Sequence, residues 1–180
     1  MNKIYSPEED SYLLSKVLEK KIPEILSENS NLTFLEIGSG NGIQLKTALK
    51  LGIKKQNIFS SDINLFAVKH CKNFGFNCIN SNLFENIKRK FDIIIFNPPY
   101  LPENSQEPRD SKMSTTGGKK GSEIINEFLK QAKDYLNKDG KIFLLTSNLT
   151  KGINFLDYTK KILAKKKLFF EELFVWELSI

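Results

Sequence analysis

Four residues at the end of an apolar run, Asn97-Pro98-Pro99-Tyr100, have the types and the order that could activate a weak nucleophile. A planar amide or aromatic amine reacts poorly because its nitrogen lone pair is delocalised. The side-chain oxygen of Asn97 and the backbone carbonyl of Pro98 could accept its two N–H bonds, with the prolines fixing the direction of both acceptors. Tyr100 would offer a flat face for the planar group. A rigid turn without chemistry is the alternative that this motif alone leaves open.

A glycine-rich loop flanked by acidic residues lies upstream of that motif. Its pattern is Glu36-x-Gly38-x-Gly40-x-Gly42, and Asp62 ends the next strand-like segment. A dinucleotide site would favour Gly-x-Gly-x-x-Gly, with a pyrophosphate on the helix N-terminus. A carboxylate as close as Glu36 would repel a pyrophosphate and attract the ammonium of a methionine moiety, while Asp62 could accept hydrogen bonds from both ribose hydroxyls. The loop and the later motif together predict methyl transfer from a sulfonium to a planar nitrogen, with a ligand-free tight turn as the alternative for the loop.

These residues need a scaffold, and strand-like and helix-like segments do alternate along the chain. Ser6-Pro7 with Glu9 predicts the start of a first helix, and hydrophobic periodicity predicts the later elements. The predicted strands are 33–37, 57–62, 77–79, 91–96 and 141–146. After the first helix, one predicted helix follows the glycine loop and ends at Leu51, and three more cover 64–74, 123–136 and 154–165. The segment 168–180 predicts one or two further strands. Such a βαβα order indicates an α/β fold with a parallel sheet covered by helices on both faces.

Composition limits the classes of protein to consider. The 180 residues predict a single domain, with 1–30 as an N-terminal helical cover and 31–180 as the core. No apolar run is long enough to span a membrane, and the N-terminus lacks the apolar core of a secretion signal. The two cysteines favour a reducing compartment, so we expect a cytoplasmic protein that holds no metal. The net charge of +6 is nearly all lysine, and direct nucleic-acid binding is not expected.

The motifs resemble those of a known family. Glu-Ile-Gly-Ser-Gly-Asn-Gly, Asp62 and Asn-Pro-Pro-Tyr look like class I methyltransferases that use S-adenosylmethionine on planar nitrogens. Within these the chain is similar to the HemK-type glutamine methyltransferases. Its opening, Tyr5-Ser6-Pro7-Glu8-Glu9-Asp10-Ser11, and its Gly-Gly-x-x-Gly run at 117–121 resemble the short archaeal and eukaryotic branch. The resemblance implies a Rossmann-like fold with a seven-stranded, mainly parallel sheet.

The resemblance also implies roles for individual residues. The methionine end of the cofactor would lie on Ser11, Glu36, Gly38 and Gly40, the ribose on Asp62, and the adenine between Asn82 and Leu83. Asn97 would touch both cofactor and substrate, and the substrate would lie on Asn97, Pro98, Pro99 and Tyr100. The family usually has Asp at position 82, and an amide there can still accept the adenine amino group through its oxygen. It also tends to carry an aromatic residue where this chain has Thr115-Thr116.

The implied activity is methylation of a glutamine side chain in the Gly-Gly-Gln loop of a class I translation release factor. Methylation of an exocyclic amino group of adenine or guanine in nucleic acid is one alternative, because enzymes of that kind share Asn-Pro-Pro-Tyr. A non-catalytic cofactor-binding module is another. The short branch further implies a partner, a small zinc-binding activator protein. The predicted edge strand around 76–79, with Phe74 and Phe84 nearby, is where such a partner could pair.

Overall fold

The computed structural model describes residues 4–104, 106, 112 and 114–180. Helices and strands alternate through most of this part of the chain. The helices are α1 (Glu9–Glu28), α2 (Ile43–Lys50), α3 (Leu65–Asn73) and α4 (Glu123–Ala132). The strands are β1 (Phe34–Ile37), β2 (Ile58–Asp62), β3 (Asn77–Asn80), β4 (Phe91–Phe96), β5 (Leu136–Ser147), β6 (Thr159–Lys167) and β7 (Glu172–Ser179).

The seven strands form one sheet in the order β3-β2-β1-β4-β5-β7-β6. The first five strands in this order run parallel, and β7 is antiparallel to both β5 and β6. The chain moves outward from β1 to β3 and then returns to place β4 on the other side of β1. This reversal opens a crevice at the carboxyl ends of β1 and β4, where open α/β sheets bind ligands. The predicted Rossmann-like class I methyltransferase fold, with helices on both faces, is confirmed.

Alternation along β4 divides the core between the two faces of the sheet. Ile93 and Ile95 belong to a buried cluster shared with α1, α2 and α3, whereas Ile94 and Phe96 belong to a second cluster shared with α4. Side chains of successive strand residues point to opposite faces, so a strand that is covered on both sides must be apolar at nearly every position. That requirement explains the continuous apolar run that ends at Asn97.

The prediction of a helix over 154–165 is wrong. Residues Thr159–Lys167 form strand β6, which pairs antiparallel with β7 at the edge of the sheet. Its lysines and alanine favour helix when taken alone, but strand preference depends on pairing and burial more than on intrinsic propensity. Exposed lysines are also a common protection of edge strands against unwanted pairing. The predicted turn near 171 is present as the connection 168–171.

Two predicted helix ends also differ from the structure. Helix α1 begins at Glu9, not beside Ser6, and residues 4–8 form no helix or strand. Helix α4 ends at Ala132, and the following 3-10 turn leads into β5, which begins at Leu136. Within the described residues no helix combines the length and apolar character needed to cross a membrane.

Candidate active site

The glycine loop turns sharply at the carboxyl end of β1. Gly38 and Gly40 have φ angles of 72° and 47°, and residues with a Cβ atom rarely adopt this region of backbone conformation. The Gly38 N–H donates to the Ser61 carbonyl at 2.8 Å, which ties the loop to the end of β2. The Gly40 N–H donates to Asp62 Oδ2 at 2.9 Å. The loop and Asp62 are therefore held together as one unit.

Glu36 and Asp62 are both buried beside this loop. Burial raises the pKa of the Glu36 carboxyl well above its usual value, and the charges of Asp62 and Cys78 raise it further. Burial also raises the pKa of Asp62, although hydrogen bonds from Asn64, Gly40 and Ser39 oppose that effect. The Glu36 Oε2 atom has no hydrogen-bond partner among the residues that the structure describes. A cationic ligand would supply that partner and favour the ionised carboxylate.

Asn97 lies at the carboxyl end of β4, and its amide has a fixed orientation. The Nδ2 group donates to Asp10 Oδ2 at 3.0 Å, and the hydroxyl of Tyr5 donates to the same carboxylate at 3.1 Å. The Oδ1 atom of Asn97 is buried and lacks a partner within the described part of the chain. An unpaired buried acceptor is costly unless a ligand uses it. The arrangement therefore leaves one buried acceptor oxygen without a described partner at a residue that lines the crevice.

Ser11 and Asn82 both line the crevice, and each has a hydrogen bond to a neighbouring side chain. The Ser11 carbonyl accepts a hydrogen bond from Gln44 Nε2 at 2.8 Å, which joins α1 to α2. Asn82 donates its Nδ2 to Glu85 Oε1 at 3.0 Å, so its amide oxygen points the other way. Leu83 follows with a φ angle of 47°. The hydrogen bond to Glu85 occupies the nitrogen of the Asn82 amide and leaves its oxygen as the acceptor of this residue.

These residues surround one cavity of about 760 Å³. The sequence-predicted residues that line it are Ser11, Glu36, Gly38, Gly40, Asp62, Asn82, Leu83, Asn97, Pro98 and Pro99. Tyr100 is not among the described lining residues and packs against both core clusters. Burial, together with the charges of Asp10 and Glu171, raises the pKa of its hydroxyl far above the usual value. The structure thus brings the predicted residues together around one cavity, except Tyr100, which is not among the described lining residues.

The Gly-Gly-x-x-Gly run packs directly on the backbone that follows Asn97. A Cβ added to Gly117 would lie 2.5 Å from the Pro99 carbonyl oxygen, and one added to Gly121 would lie 2.3 Å from the Tyr100 carbonyl oxygen. Backbone cannot move away as a flexible side chain can, so both positions require glycine. The hydroxyl of Thr150 adds a hydrogen bond of 2.8 Å to the Tyr100 carbonyl. The end of the segment 101–122 therefore supports the backbone of the motif, and positions 105, 107–111 and 113 of this segment lie outside the described residues.

Comparisons with known proteins agree with this geometry. The family model described as "Methyltransferase small domain" matches residues 10–166. A Methanocaldococcus jannaschii protein assigned as a protein N5-glutamine methyltransferase is 39% identical, over 96% of this chain and 89% of its own length. The chain belongs to the HemK-type glutamine methyltransferase family. The catalytic subunit of the eRF1 methyltransferase of Schizosaccharomyces pombe is 31% identical, over 79% of this chain and 71% of its own length.

A solved structure shows the same fold at greater distance. The 16S rRNA N2 G1207 methyltransferase of T. thermophilus, in complex with AdoMet and guanosine, superposes with a TM-score of 0.63. The two sequences are 18% identical, and the superposition covers 96% of this chain and 43% of the T. thermophilus chain. As a methyltransferase of the HemK type, this chain uses S-adenosylmethionine. The buried, unpartnered Glu36 oxygen and the carboxylate of Asp62 fit the ammonium and the ribose of that cofactor.

The sequence alone did not reveal every residue of this HemK-type site. Asp10, which holds the amide of Asn97, had no role beyond its place in the opening motif. Gln44, Gly117 and Gly121 act through contacts that join distant segments. The opening motif was the available signal, because Tyr5 and Asp10 both belong to it and prove to be hydrogen-bonded to each other.

Proposed function

We propose that this enzyme methylates the side-chain amide of the glutamine in the Gly-Gly-Gln motif of a class I translation release factor. The observation that carries the proposal is the fixed amide of Asn97, whose nitrogen is held by Asp10 while its oxygen is buried without a described partner. A glutamine amide has two N–H bonds, so a single oriented acceptor plus a nearby carbonyl can hold its nitrogen. The relative from S. pombe, named for eRF1, supports a release factor as the protein substrate.

The residues at the end of β4 would act by positioning. The Oδ1 atom of Asn97 and the carbonyl of Pro98 would accept the two N–H bonds of the glutamine amide and direct its lone pair into the cavity. When bound, the cofactor supplies an electrophilic methyl group on a sulfonium. The amide nitrogen can lose a proton after the methyl group is transferred, so no strong base is required at the site. The backbone braced by Gly117 and Gly121 keeps both acceptors in place.

Each residue of the proposed cofactor site would contact a different part of S-adenosylmethionine. Glu36 would bind the ammonium and Asp62 the ribose hydroxyls, while the oxygen of Asn82 would accept the adenine amino group. The adenine would lie against Leu83. The glycines at 38 and 40, with Ser11, would allow the methionine moiety to approach the backbone. All of these residues line the same cavity, which supports the assignment.

Nucleic-acid methylation, the alternative with the same motif, is disfavoured by the charge around the cavity. Burial raises the pKa of the Tyr5 hydroxyl, and the nearby carboxylates of Asp10, Glu8 and Glu171 raise it further. Glu8 and Asp10 also line the cavity itself. A phosphate backbone would be repelled at such a surface, because nucleic-acid affinity depends on neutralising phosphates with cationic side chains. A protein loop without phosphates has no such penalty.

The deciding experiment is mass spectrometry of a release factor incubated with this protein and S-adenosylmethionine. We expect one added methyl group on the peptide that contains Gly-Gly-Gln, localised by fragmentation to the glutamine. A release factor with that glutamine replaced by alanine is the control and should gain no methyl group. Methylation of RNA or DNA in a parallel reaction, with an unmodified release factor, would overturn the proposal.

We also propose that the enzyme works with a small zinc-binding activator protein that pairs along β3. This strand pairs on one side with β2 and lies at the edge of the sheet. Ile79 is 36% exposed there, and Phe74 at the end of α3 is 45% exposed. Phe84, which we expected beside them, is fully buried and stacks on Tyr135, so it adds nothing to this surface. The description of the S. pombe relative as a catalytic subunit supports a second subunit.

The Ile79→Lys variant tests the partner. A lysine on the exposed face of β3 should weaken the complex because it replaces an apolar contact with a solvated charge. Gel filtration of the co-expressed pair should show dissociation, while calorimetry shows unchanged cofactor affinity. Ile162→Lys is the matched control, since Ile162 is also 36% exposed and lies on β6, the other edge strand. A chain that is monomeric and methylates a release factor at full rate without any added protein would contradict the proposal.

A further inference from the structure

The hairpin between β6 and β7 ends at the same side of the sheet as the active site. Its tip, residues 168–171, follows Lys167, which pairs with Glu172 in the antiparallel register. Leu173, the next residue of β7, pairs with Ser147 at the carboxyl end of β5. Because β5 runs parallel to β4, this end of the sheet is also where Asn97 emerges. The hairpin tip and the catalytic motif therefore share one rim.

Hydrogen bonds and an ion pair hold the hairpin tip to the site. Glu172 N donates to Asn148 Oδ1 at 2.8 Å, and Asn148 N donates to the Glu172 carbonyl at 2.9 Å. Two residues further along, the hydroxyl of Thr150 donates to the Tyr100 carbonyl. On the other side Lys166 forms an ion pair with Glu9, the neighbour of the carboxylate that orients Asn97. These contacts fix the position of the hairpin tip relative to Asn97 and the motif that follows it.

Two adjacent aromatic side chains at this tip face solvent almost completely. Phe169 is 97% exposed and Phe170 is 93% exposed, the two highest values among the exposed large hydrophobic residues that the structure describes. Exposed Lys165 and Lys167 precede them on β6. Clustered exposed apolar groups mark interaction sites, and aromatic anchors commonly dominate binding. The pattern of apolar anchors beside cations fits a partner surface with an apolar pocket bordered by acidic groups.

We propose that Phe169 and Phe170, with Lys165 and Lys167, form a docking site for the protein substrate outside its methylated loop. This inference rests on the proposed function. The main cavity holds the cofactor and one side chain, which leaves little surface to recognise a whole protein. Contacts remote from the reacting atoms can supply affinity and place the amide at Asn97. The tip stands on the same rim as the catalytic motif, so one protein can contact both.

A membrane or a nucleic acid fits the tip less well than a protein does. The lysines would attract either anionic surface, but Glu171 belongs to the tip itself, and Glu8 and Asp10 flank Glu9, the ion-pair partner of Lys166. Burial, together with the charges of these three carboxylates, raises the pKa of the Tyr5 and Tyr100 hydroxyls. An anionic surface pressed onto the tip would meet these carboxylates, whereas a protein can match acidic groups to the lysines and place neutral or basic groups at the rim. Charge complementarity therefore favours a protein substrate.

The test compares steady-state kinetics with an intact release factor. The Phe169→Ser/Phe170→Ser double variant should raise the KM for the release factor about tenfold or more, because truncating aromatic anchors removes a large part of binding energy. Turnover at saturating release factor and affinity for the demethylated cofactor should not change. Ile180→Ser is the matched control, because Ile180 is 76% exposed at the opposite end of β7.

Charge-reversal variants test whether the partner surface that contacts the lysines is acidic. Lys165→Glu/Lys167→Glu should raise KM, whereas Lys160→Glu/Lys161→Glu, at the far end of the same strand, should not. An unchanged KM in both hairpin variants overturns the docking site, and so does a fall in saturated turnover without a change in KM. Sedimentation with phosphatidylglycerol vesicles that depends on Phe169 and Phe170, with KM unchanged, would assign the tip to a membrane instead. If the wild-type enzyme does not methylate the release factor, the proposed function is wrong and this inference fails with it. That result is obtained before any variant is compared, so the two failures can be distinguished.

Discussion

The Asn97→Ala variant is expected to turn over at least about 10²-fold more slowly than the wild-type enzyme, comparable to the loss of one preorganised polar group from an active site. Alanine removes the Oδ1 acceptor that is buried without a described partner, and with it the group that orients the target amide. The fold should survive because the residue lies beyond the last residue of β4. Turnover would be measured with saturating release factor and cofactor, and folding by thermal melting.

Two further variants make this test specific. Asn73→Ala changes an exposed asparagine at the end of α3 and should leave turnover unchanged. Asp10→Ala frees the amide of Asn97 to rotate and should slow turnover about tenfold, by roughly the 1.5 kcal/mol of a hydrogen bond to a charged group. The Asp10→Ala/Asn97→Ala double variant should be no slower than Asn97→Ala, because the two residues act as a unit. Additive losses would show that Asp10 acts separately, and near-normal turnover of Asn97→Ala would refute the mechanism.

The Asp62→Ala variant is expected to bind S-adenosylmethionine at least about 30-fold more weakly, which corresponds to roughly 2 kcal/mol for lost charge-assisted hydrogen bonds. The substitution removes the acceptor for the ribose hydroxyls. It also removes the carboxylate that accepts the N–H groups of Gly40 at 2.9 Å and of Asn64 at 2.8 Å, so the glycine loop loses its brace. Calorimetry with the cofactor and with its demethylated product would measure the loss.

A second carboxylate on the sheet gives the control for Asp62. Asp92 lies near the start of β4, and its Oδ2 accepts hydrogen bonds from the Thr33 N–H and hydroxyl, both at 2.7 Å. Asp92→Ala should lower the melting temperature through the lost hydrogen bonds while leaving cofactor affinity unchanged. NAD should not bind to either variant or to the wild-type enzyme. Unchanged cofactor affinity in Asp62→Ala would remove this residue from the site, and tight NAD binding would overturn the assignment of the cofactor.

Local sequence was sufficient to predict the parallel part of the sheet and the places where its strands end. A strand covered on both faces needs a largely apolar run, so the end of β4 directly before Asn97 could be located without coordinates, and β2 is predicted to end at Asp62 from its place after the helix that follows the glycine loop. Carboxyl ends of parallel strands meet at one edge, which is why the glycine loop, Asp62 and the Asn97 motif could be assigned to one site. These inferences depend on short segments, in which the order of apolar, polar and glycine residues is itself the signal.

Tertiary structure decided what depends on contacts between distant segments. Lysines and alanine in 159–167 favour helix locally, yet pairing with β7 makes this segment a strand and carries Phe169 and Phe170 to the rim of the site. The hydrogen bond from Asn97 to Asp10 joins residues 87 positions apart, and it occupies the nitrogen of the amide so that the oxygen remains as the acceptor. Tyr100 packs against both core clusters and is not among the described lining residues of the cavity. Sequence determined which groups are available for catalysis, whereas packing determined how they are oriented, since orientation depends on neighbours that no local pattern specifies.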